Sequence, residues 1–286
     1  MTKWTEEPVV FRCGADELIG VVHRAVGHDA RLGVLVVVGG PQYRVGSHRQ
    51  FTLMARSLAE SGFPVMRFDY RGMGDSDAEP RSFETVAEDL LCAMEVFFQA
   101  APGLERVVLW GLCDAASAVL MHAPRDARIG GLVLVNPWAR STSGEARAYV
   151  KHYYGQRLFQ RSFWVKMFSG ESSPLRALAA FIRDLRTAYS RRASAPPLSF
   201  IERMRIGLQE SRTPVLFAMS ERDLTAREFD DLAERDELWR RALSRPGVQI
   251  VRLDGADHTF SDRPALDRAT NCFRDWLREL AAPSGE

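Results

Sequence analysis

The sequence predicts an α/β fold with a mostly parallel central sheet, in one large domain of 286 residues. Six mostly apolar segments have the length of strands, and most of them break into glycine-rich or polar loops. Continuous apolar strands are typical of parallel sheets that are covered on both faces. Because parallel strands carry their chemistry at their carboxyl ends, we expect the functional residues in these loops. In chain order, the six segments are 33–38, 63–70, 107–112, 131–135, 213–219 and 248–253.

The first of these segments, 33–38, runs into Gly39, Gly40, Pro41 and Gln42. A turn of this kind can present backbone N–H groups to a negative oxygen that develops during acyl transfer. Pro41 has no N–H group, so Gly40 or Gln42 must supply the donor from this loop. An ordinary strand-ending turn is the alternative.

The second segment, 63–70, feeds a loop at 71–76 that is punctuated by glycines. No Gly-x-Gly-x-x-Gly opens a helix here, so the glycines serve backbone turns rather than phosphate binding. We interpret Asp69, Arg71 and Ser76 as scaffold residues.

The third segment, 107–112, leads into Cys113 and then into an alanine-rich stretch. A nucleophile on a sharp turn from strand to helix needs small neighbours two positions away, and Gly111 and Ala115 meet that need. The helix N-terminus would favour a thiolate on Cys113, and the Asp114 N–H would be the first oxyanion donor. Two alternatives stay open: a buried structural cysteine, and Asp114 as nucleophile, which would lack the flanking glycine.

Candidates for an acid and a base follow in the order that a nucleophile, acid, histidine triad requires. Asp223 lies in the loop after the segment 213–219, and His258 follows the segment 248–253. Both therefore fall at the same edge of a parallel sheet as the cysteine. Asp257 is the rival acid, but its adjacency to His258 points it away from the ring. The sequence predicts a Cys-His-Asp site.

Four motifs stand out in the chain: GGPQYR at 39–44, FDYRGMGDS at 68–76, GLCDA at 111–115 and NPW at 136–138. With the strands and loops above, they resemble the α/β-hydrolase superfamily, and this resemblance covers the chain from about residue 8 to about residue 280. More narrowly, the four motifs resemble the exosortase A system-associated hydrolases, bacterial proteins encoded near exopolysaccharide and protein-sorting genes. The resemblance implies the α/β-hydrolase fold and a cysteine hydrolase-like enzyme. The chain departs from the common superfamily pattern by having Cys for Ser, and Ala for the second glycine, at the elbow.

Charge is distributed unevenly, although the net charge is only +1. Residues 140–212 contain 14 Lys or Arg against 5 Asp or Glu, together with many aromatic residues. We predict a helical lid here, inserted into a core of 1–139 and 213–286. A cationic rim over an apolar tunnel would favour an anionic or carrier-bound acyl substrate, such as a coenzyme A or acyl carrier protein thioester, or an anionic membrane surface. The alternative is that the aromatic side chains pack onto the body of the protein as core and the charged side chains form a solvated face. Candidate substrate ligands are Arg44, His48, Trp138, Tyr153 and Trp164.

The sequence disfavours membrane proteins, metal or disulfide sites and nucleic-acid binding proteins. The chain starts without a basic segment followed by an apolar run, and it has no stretch of 18 apolar residues, so we expect a cytoplasmic protein without an integral membrane segment. Its cysteines, Cys13, Cys92, Cys113 and Cys272, form no C-x-x-C pair, which argues against a metal site and a disulfide framework. We expect no cofactor, no metal and no nucleic-acid partner. The oligomeric state is not predicted.

The predicted function is hydrolysis of an ester or thioester through an acyl-cysteine intermediate. An acyltransferase that uses the same intermediate is the first alternative, because an acyl-thioester is readily attacked by hydroxyl or amine acceptors. A catalytically inactive binding or scaffold protein is the alternative from another class. Preferential alkylation of Cys113 would separate an enzyme from a scaffold.

Overall fold

The computed structural model describes residues 4–26, 30–40, 42–123, 126–140 and 198–282. Their centre is an eight-stranded sheet with the strand order β1-β2-β4-β3-β5-β6-β7-β8. The strands are β1 Trp4–Cys13, β2 Asp16–Ala25, β3 Leu32–Val37, β4 Val65–Phe68, β5 Arg106–Leu112, β6 Ile129–Val135, β7 Val215–Ser220 and β8 Val248–Leu253.

The six strands from β3 to β8 are parallel to one another. Each of the six predicted segments overlaps one of them, which confirms the predicted α/β architecture with its mostly parallel sheet. The sequence reading missed the first two strands, which form an antiparallel hairpin and join the sheet through an antiparallel pairing of β2 with β4. Their signal was weak, since the exposed β1 carries polar and charged residues on much of its length.

Helices cover both faces of the sheet. Helices α1 and α7 pack on one face, and α2 to α6 supply the apolar cluster on the other. The helices are α1 Gln50–Glu60, α2 Ala87–Ala100, α3 Asp114–His122, α4 Phe200–Glu210, α5 Leu224–Arg235, α6 Glu237–Leu243 and α7 Arg263–Ala281.

Burial on both faces explains the continuous apolar strands. Successive residues of β5 alternate between the two apolar clusters, with Leu109 in one and Trp110 in the other. The Trp110 ring meets Phe51 of α1 at 5.5 Å and Phe273 of α7 at 5.9 Å between ring centroids, both edge to face. The central strand that leads to Cys113 is therefore covered on both faces, and on one of them Trp110 packs against two helices.

The chain divides into two units, one formed by 1–140 with 200–286 and the other by 141–199. Most of the predicted lid, 141–197, lies outside the described residues, so the lid stays a prediction. Its described end, Phe200–Glu210, is a helix of the first unit that packs against α3. No helix in the described part of the chain is long and apolar enough to cross a membrane.

Candidate active site

Cys113 sits on a strained turn between β5 and α3. Its φ of 62° and ψ of −124° lie in a region that L-residues seldom adopt. Such strain is stored where the surrounding structure enforces it, and it aims a side chain away from the sheet edge. The predicted turn from strand to helix is therefore present at this residue.

The space around the turn requires glycine at two positions. A Cβ atom built on Gly111 would lie 2.7 Å from the carbonyl carbon and oxygen of Ala115. A Cβ on Gly39, at the end of the neighbouring β3, would lie 2.7 Å from the Ala115 nitrogen. The elbow therefore packs directly against the loop that follows β3.

The adjacent strands hold the elbow in place. The Cys113 N–H donates to the Val135 carbonyl oxygen at 2.9 Å, at the end of β6. Asn136 then clips β6 to β7, because its Oδ1 accepts from the Ser220 N–H at 2.8 Å and its Nδ2 donates to the Ser220 Oγ at 3.0 Å. Asn136 is buried and has a φ of 46°, a conformation that asparagine tolerates better than most residues.

Asp223 and His258 are paired at the same sheet edge. Asp223 follows β7 and is 4% exposed, and its Oδ2 lies 2.7 Å from the His258 Nδ1. The other carboxylate oxygen, Oδ1, accepts from the Thr225 N–H at 2.9 Å and so caps α5. With both oxygens engaged, the carboxylate fixes the orientation of the imidazole ring and directs Nε2 away from itself.

The Asp257 carboxylate accepts hydrogen bonds within its own turn. Its Oδ1 accepts from the Thr259 N–H at 3.2 Å and the Ser261 N–H at 2.9 Å, which fastens the turn after His258. These bonds, with the Ser261 hydroxyl, lower the pKa of Asp257 against the opposing effect of burial. The geometry favours Asp223 over Asp257 as the partner of the histidine.

The thiol differs from the sequence-based expectation of a ready-formed thiolate. Burial raises the pKa of Cys113 well above its ordinary value, and the Asp114 and Asp223 carboxylates raise it further, although the Asp114 N–H and the Arg140 charge oppose them. Desolvation and two negative charges outweigh the helix N-terminus. The direction of this shift favours a neutral thiol, from which a base must take the proton, over the resting thiolate that the sequence predicts.

The oxyanion side of the site contains a contact that the sequence does not reveal. The Asp114 Oδ2 accepts a hydrogen bond from the Gly40 N–H at 2.8 Å. Asp114 is only 8% exposed, and burial raises the pKa of its carboxyl group to about 6, while the Gly40 N–H opposes the rise. Of the two candidate loop donors, Gly40 is thus already engaged, and Gln42 is left.

The Arg44 side chain is engaged in ion pairs within the protein. Its guanidinium pairs with Asp69 and, at 2.8 Å, with Asp75, and its side chain is 16% exposed. Its N–H donates to the Asp69 Oδ1 at 2.6 Å, and its carbonyl oxygen accepts from the Arg67 Nη1 at 2.6 Å. These bonds make Arg44 a clamp on the loop through Asp69, and its contact with a substrate anion stays a prediction.

The other candidate ligands are distributed as follows. His48 is exposed, with a φ of 53°. Trp138 is half-buried beside the elbow, since its N–H donates to the Cys113 carbonyl oxygen at 3.2 Å. The Arg140 guanidinium lies 5.4 Å from the centroid of the Trp138 ring. Tyr153 and Trp164 lie outside the described residues.

The sequence does not predict the role of Asn136, the Asp114 contact with Gly40, or the pairing of Arg140 with Glu228, whose Oε1 lies 2.8 Å from the Arg140 Nε. Asn136 stood out only as part of the NPW motif directly after a buried strand, without a role. The other two join residues 74 and 88 positions apart in the chain, and no local pattern reports such contacts.

Comparison with known proteins agrees with this architecture. The model of the alpha/beta hydrolase family matches residues 34–269. Protein ABHD12B of Homo sapiens is 30% identical over 127 residues, which are 42% of this chain and 34% of that protein. Polyketide transferase grgF of Penicillium is 32% identical over 99 residues, 33% of either chain. The matched stretch thus spans about a third of the length of these two relatives.

Solved structures show the same fold. The esterase Pf2001 of Pyrococcus furiosus superposes with a TM-score of 0.66 at 15% identity, over 98% of this chain and 94% of that one. The alpha/beta hydrolase GrgF from Penicillium superposes with a TM-score of 0.64 at 20% identity, over 98% and 100%. At these identities, the likeness concerns the fold alone.

Proposed function

The chain belongs to the alpha/beta hydrolase family, and within that family we propose that it cleaves an ester or thioester through an acyl-cysteine on Cys113. The observation that carries the proposal is the strained elbow at Cys113, which shares a sheet edge with the hydrogen-bonded pair Asp223 and His258. A nucleophile, a base and a group that orients the base are the parts that covalent acyl transfer needs.

In the proposed first step, the His258 Nε2 takes the proton of the neutral Cys113 thiol while the sulfur attacks the substrate carbonyl carbon. The C–S bond forms as the carbonyl π electrons move to oxygen, and the Asp114 N–H donates to that oxyanion. The oxyanion then collapses, the bond to the leaving group breaks, and protonated His258 gives its proton to the leaving alcohol or thiol. An acyl-cysteine remains.

Water completes the cycle. The His258 Nε2 takes a proton from a water molecule, the resulting oxygen nucleophile attacks the thioester carbon, and collapse breaks the C–S bond. The proton on His258 returns to the Cys113 sulfur, and the carboxylic acid leaves. Asp223 stays ionised throughout and stabilises the imidazolium that forms in each half.

The narrower family, the class of acyl substrate and the cellular location are also proposals. The motifs at 39–44, 68–76 and 111–115 support a place among the exosortase A system-associated hydrolases, and the basic segment 140–212 supports an anionic or carrier-bound acyl substrate. A cytoplasmic location is part of the same proposal.

Intact-mass spectrometry tests the central claim. The protein is incubated with a panel of acyl-coenzyme A thioesters and p-nitrophenyl esters, and we expect a mass increase equal to one acyl group. Cys113→Ala should abolish the adduct, whereas Cys272→Ala, which changes a thiol on α7, should retain it. An adduct that survives Cys113→Ala, or no adduct and no turnover with any substrate, contradicts the proposal and favours a binding or scaffold protein.

Acyl transfer is the second candidate, and one finding favours it. A relative 32% identical over 99 residues is named a polyketide transferase. The acyl-cysteine would then pass its acyl group to a hydroxyl or amine instead of water. To separate hydrolysis from transfer, the isolated acyl-enzyme is incubated with glycerol, glucosamine or ethanolamine as an acceptor. A hydrolase yields only the free acid, and a transferase yields the acylated acceptor.

A further inference from the structure

The loop after β3 is fastened at two points by buried carboxylates. On one side of Gln42, the Asp114 Oδ2 accepts from the Gly40 N–H at 2.8 Å. On the other side, the Asp69 Oδ1 accepts from the Arg44 N–H at 2.6 Å. Asp69 is fully buried and Asp114 is 8% exposed, so both contacts are shielded from water.

The hydrogen bond from Gly40 to Asp114 limits which backbone N–H groups of this loop remain available to an oxyanion. The Gly40 N–H is committed to Asp114, and Pro41 has no N–H group. Within the described ranges, the Gln42 N–H donates to no acceptor, while the Gln42 Oε1 accepts from the buried Gln50 Nε2 at 3.3 Å. The Tyr43 N–H also donates to no acceptor among the described residues, but Tyr43 is exposed. The half-buried Gln42, whose side chain is held by Gln50, is therefore the candidate donor between the two fastened residues.

One oxygen of the Asp114 carboxylate lacks a direct hydrogen bond, although the backbone N–H groups of Ala115 and of Asp114 itself act with Gly40 to oppose the rise of its pKa by burial. Its Oδ1 is buried and has no hydrogen-bond partner in the described part of the chain. It lies against Gly39, where a built Cβ would come within 2.1 Å of it. A buried carboxylate with a free oxygen costs stability, and such costs are typical of functional positions.

On the basis of the proposed acyl chemistry, we propose that the Asp114 side chain is a positioning residue, which holds Gly40 so that the Gln42 N–H becomes the second oxyanion donor. Asp114 thus contributes twice, through its own N–H to the oxyanion and through its carboxylate to the opposite donor. The carboxylate touches no reacting atom.

Two reactions of the same thiol separate this role from a general structural one. Acylation by p-nitrophenyl butyrate passes through an oxyanion, whereas alkylation by iodoacetamide displaces iodide and forms none. Asp114→Ala releases Gly40 and removes a negative charge beside Cys113, so acylation should fall at least tenfold while alkylation stays equal or becomes faster. Asp114→Asn retains a carbonyl oxygen for the Gly40 N–H and should recover most of the acylation rate.

The outcomes are distinct. Parallel loss of acylation and alkylation in Asp114→Ala, or no loss of acylation, overturns the positioning role. Asp114→Asn as slow as Asp114→Ala would also overturn it, since charge and not the hydrogen bond would then matter. Cys113→Ala keeps the test independent of the proposed function: if that variant acylates normally, the acyl-cysteine itself is wrong.

Discussion

The two halves of the candidate site are built differently. On the acid-base half, Asp223 and His258 sit in loops that directly follow β7 and β8, and one hydrogen bond of 2.7 Å joins them. On the oxyanion half, Asp114 and Asp69 reach across from other elements to fasten the loop after β3. The first half presents side chains for proton transfer, and the second presents backbone amides, which need rigid support because they cannot adjust by rotation.

The acid-base half should give the larger effect on mutation. Removing the carboxylate in Asp223→Ala leaves the imidazole unoriented and its imidazolium unstabilised, so kcat should fall roughly 10- to 100-fold. We expect a smaller loss than in serine enzymes because a thiol gives up its proton more easily than a hydroxyl. Steady-state hydrolysis of p-nitrophenyl butyrate measures the effect.

Asp257→Ala is the matched control, since it removes a carboxylate from the residue next to His258. It should cost less than about fivefold, because Asp257 only caps the turn through Thr259 and Ser261. A larger loss in Asp257→Ala than in Asp223→Ala would make Asp257 the acid of the site.

The same division explains what the sequence could predict. Cys113, Asp223 and His258 each follow a strand whose apolar pattern is visible, so strand order alone brings them to one edge. The hydrogen bond from Gly40 to Asp114 depends on how two loops meet in space, and a sequence pattern contains no distance. The sequence does not reveal the rise in the pKa of Cys113 for a similar reason, because the burial that causes it comes from tertiary packing.

The contact of Arg44 with Asp69, which fastens the far side of the loop after β3, should have a medium effect on the acylation rate when it is weakened. Arg44→Lys keeps a positive charge beside Asp69 but loses the planar guanidinium that also meets Asp75. Acylation should slow by about three- to tenfold, while iodoacetamide alkylation of Cys113 stays constant. Rapid-mixing release of p-nitrophenolate measures the first rate.

The substrate dependence of this variant distinguishes a clamp from an anion ligand. A loosened loop slows neutral and anionic substrates alike, so the kcat of p-nitrophenyl butyrate and butyryl-coenzyme A should fall together. A rise in KM for the coenzyme A thioester alone would restore Arg44 as a ligand of the substrate anion. Arg12→Lys, in an ion pair whose arginine is 74% exposed, is the control and should change neither.

The smallest effect concerns stability, and it has a defined sign. The folded-state pKa of Asp114 is about 6, raised by burial from the ordinary 3.8. The native state therefore holds this proton more tightly than the unfolded chain, and the free energy of unfolding falls as the pH rises from about 4 to about 6. At pH 7, the wild type carries nearly the whole cost, on the order of 3 kcal/mol.

Asp114→Asn cannot ionise and should raise Tm by a few degrees at pH 7, with the gain disappearing near pH 4. Thermal unfolding at both pH values measures it, and Asp231→Asn, an exposed carboxylate, should give no comparable gain. If the Asp114→Asn variant is less stable than the wild type at pH 7, the ionised carboxylate stabilises the fold, and the oxyanion half is built for stability. A more stable variant means that this half keeps a buried charge at the expense of stability, as expected where position matters more than packing.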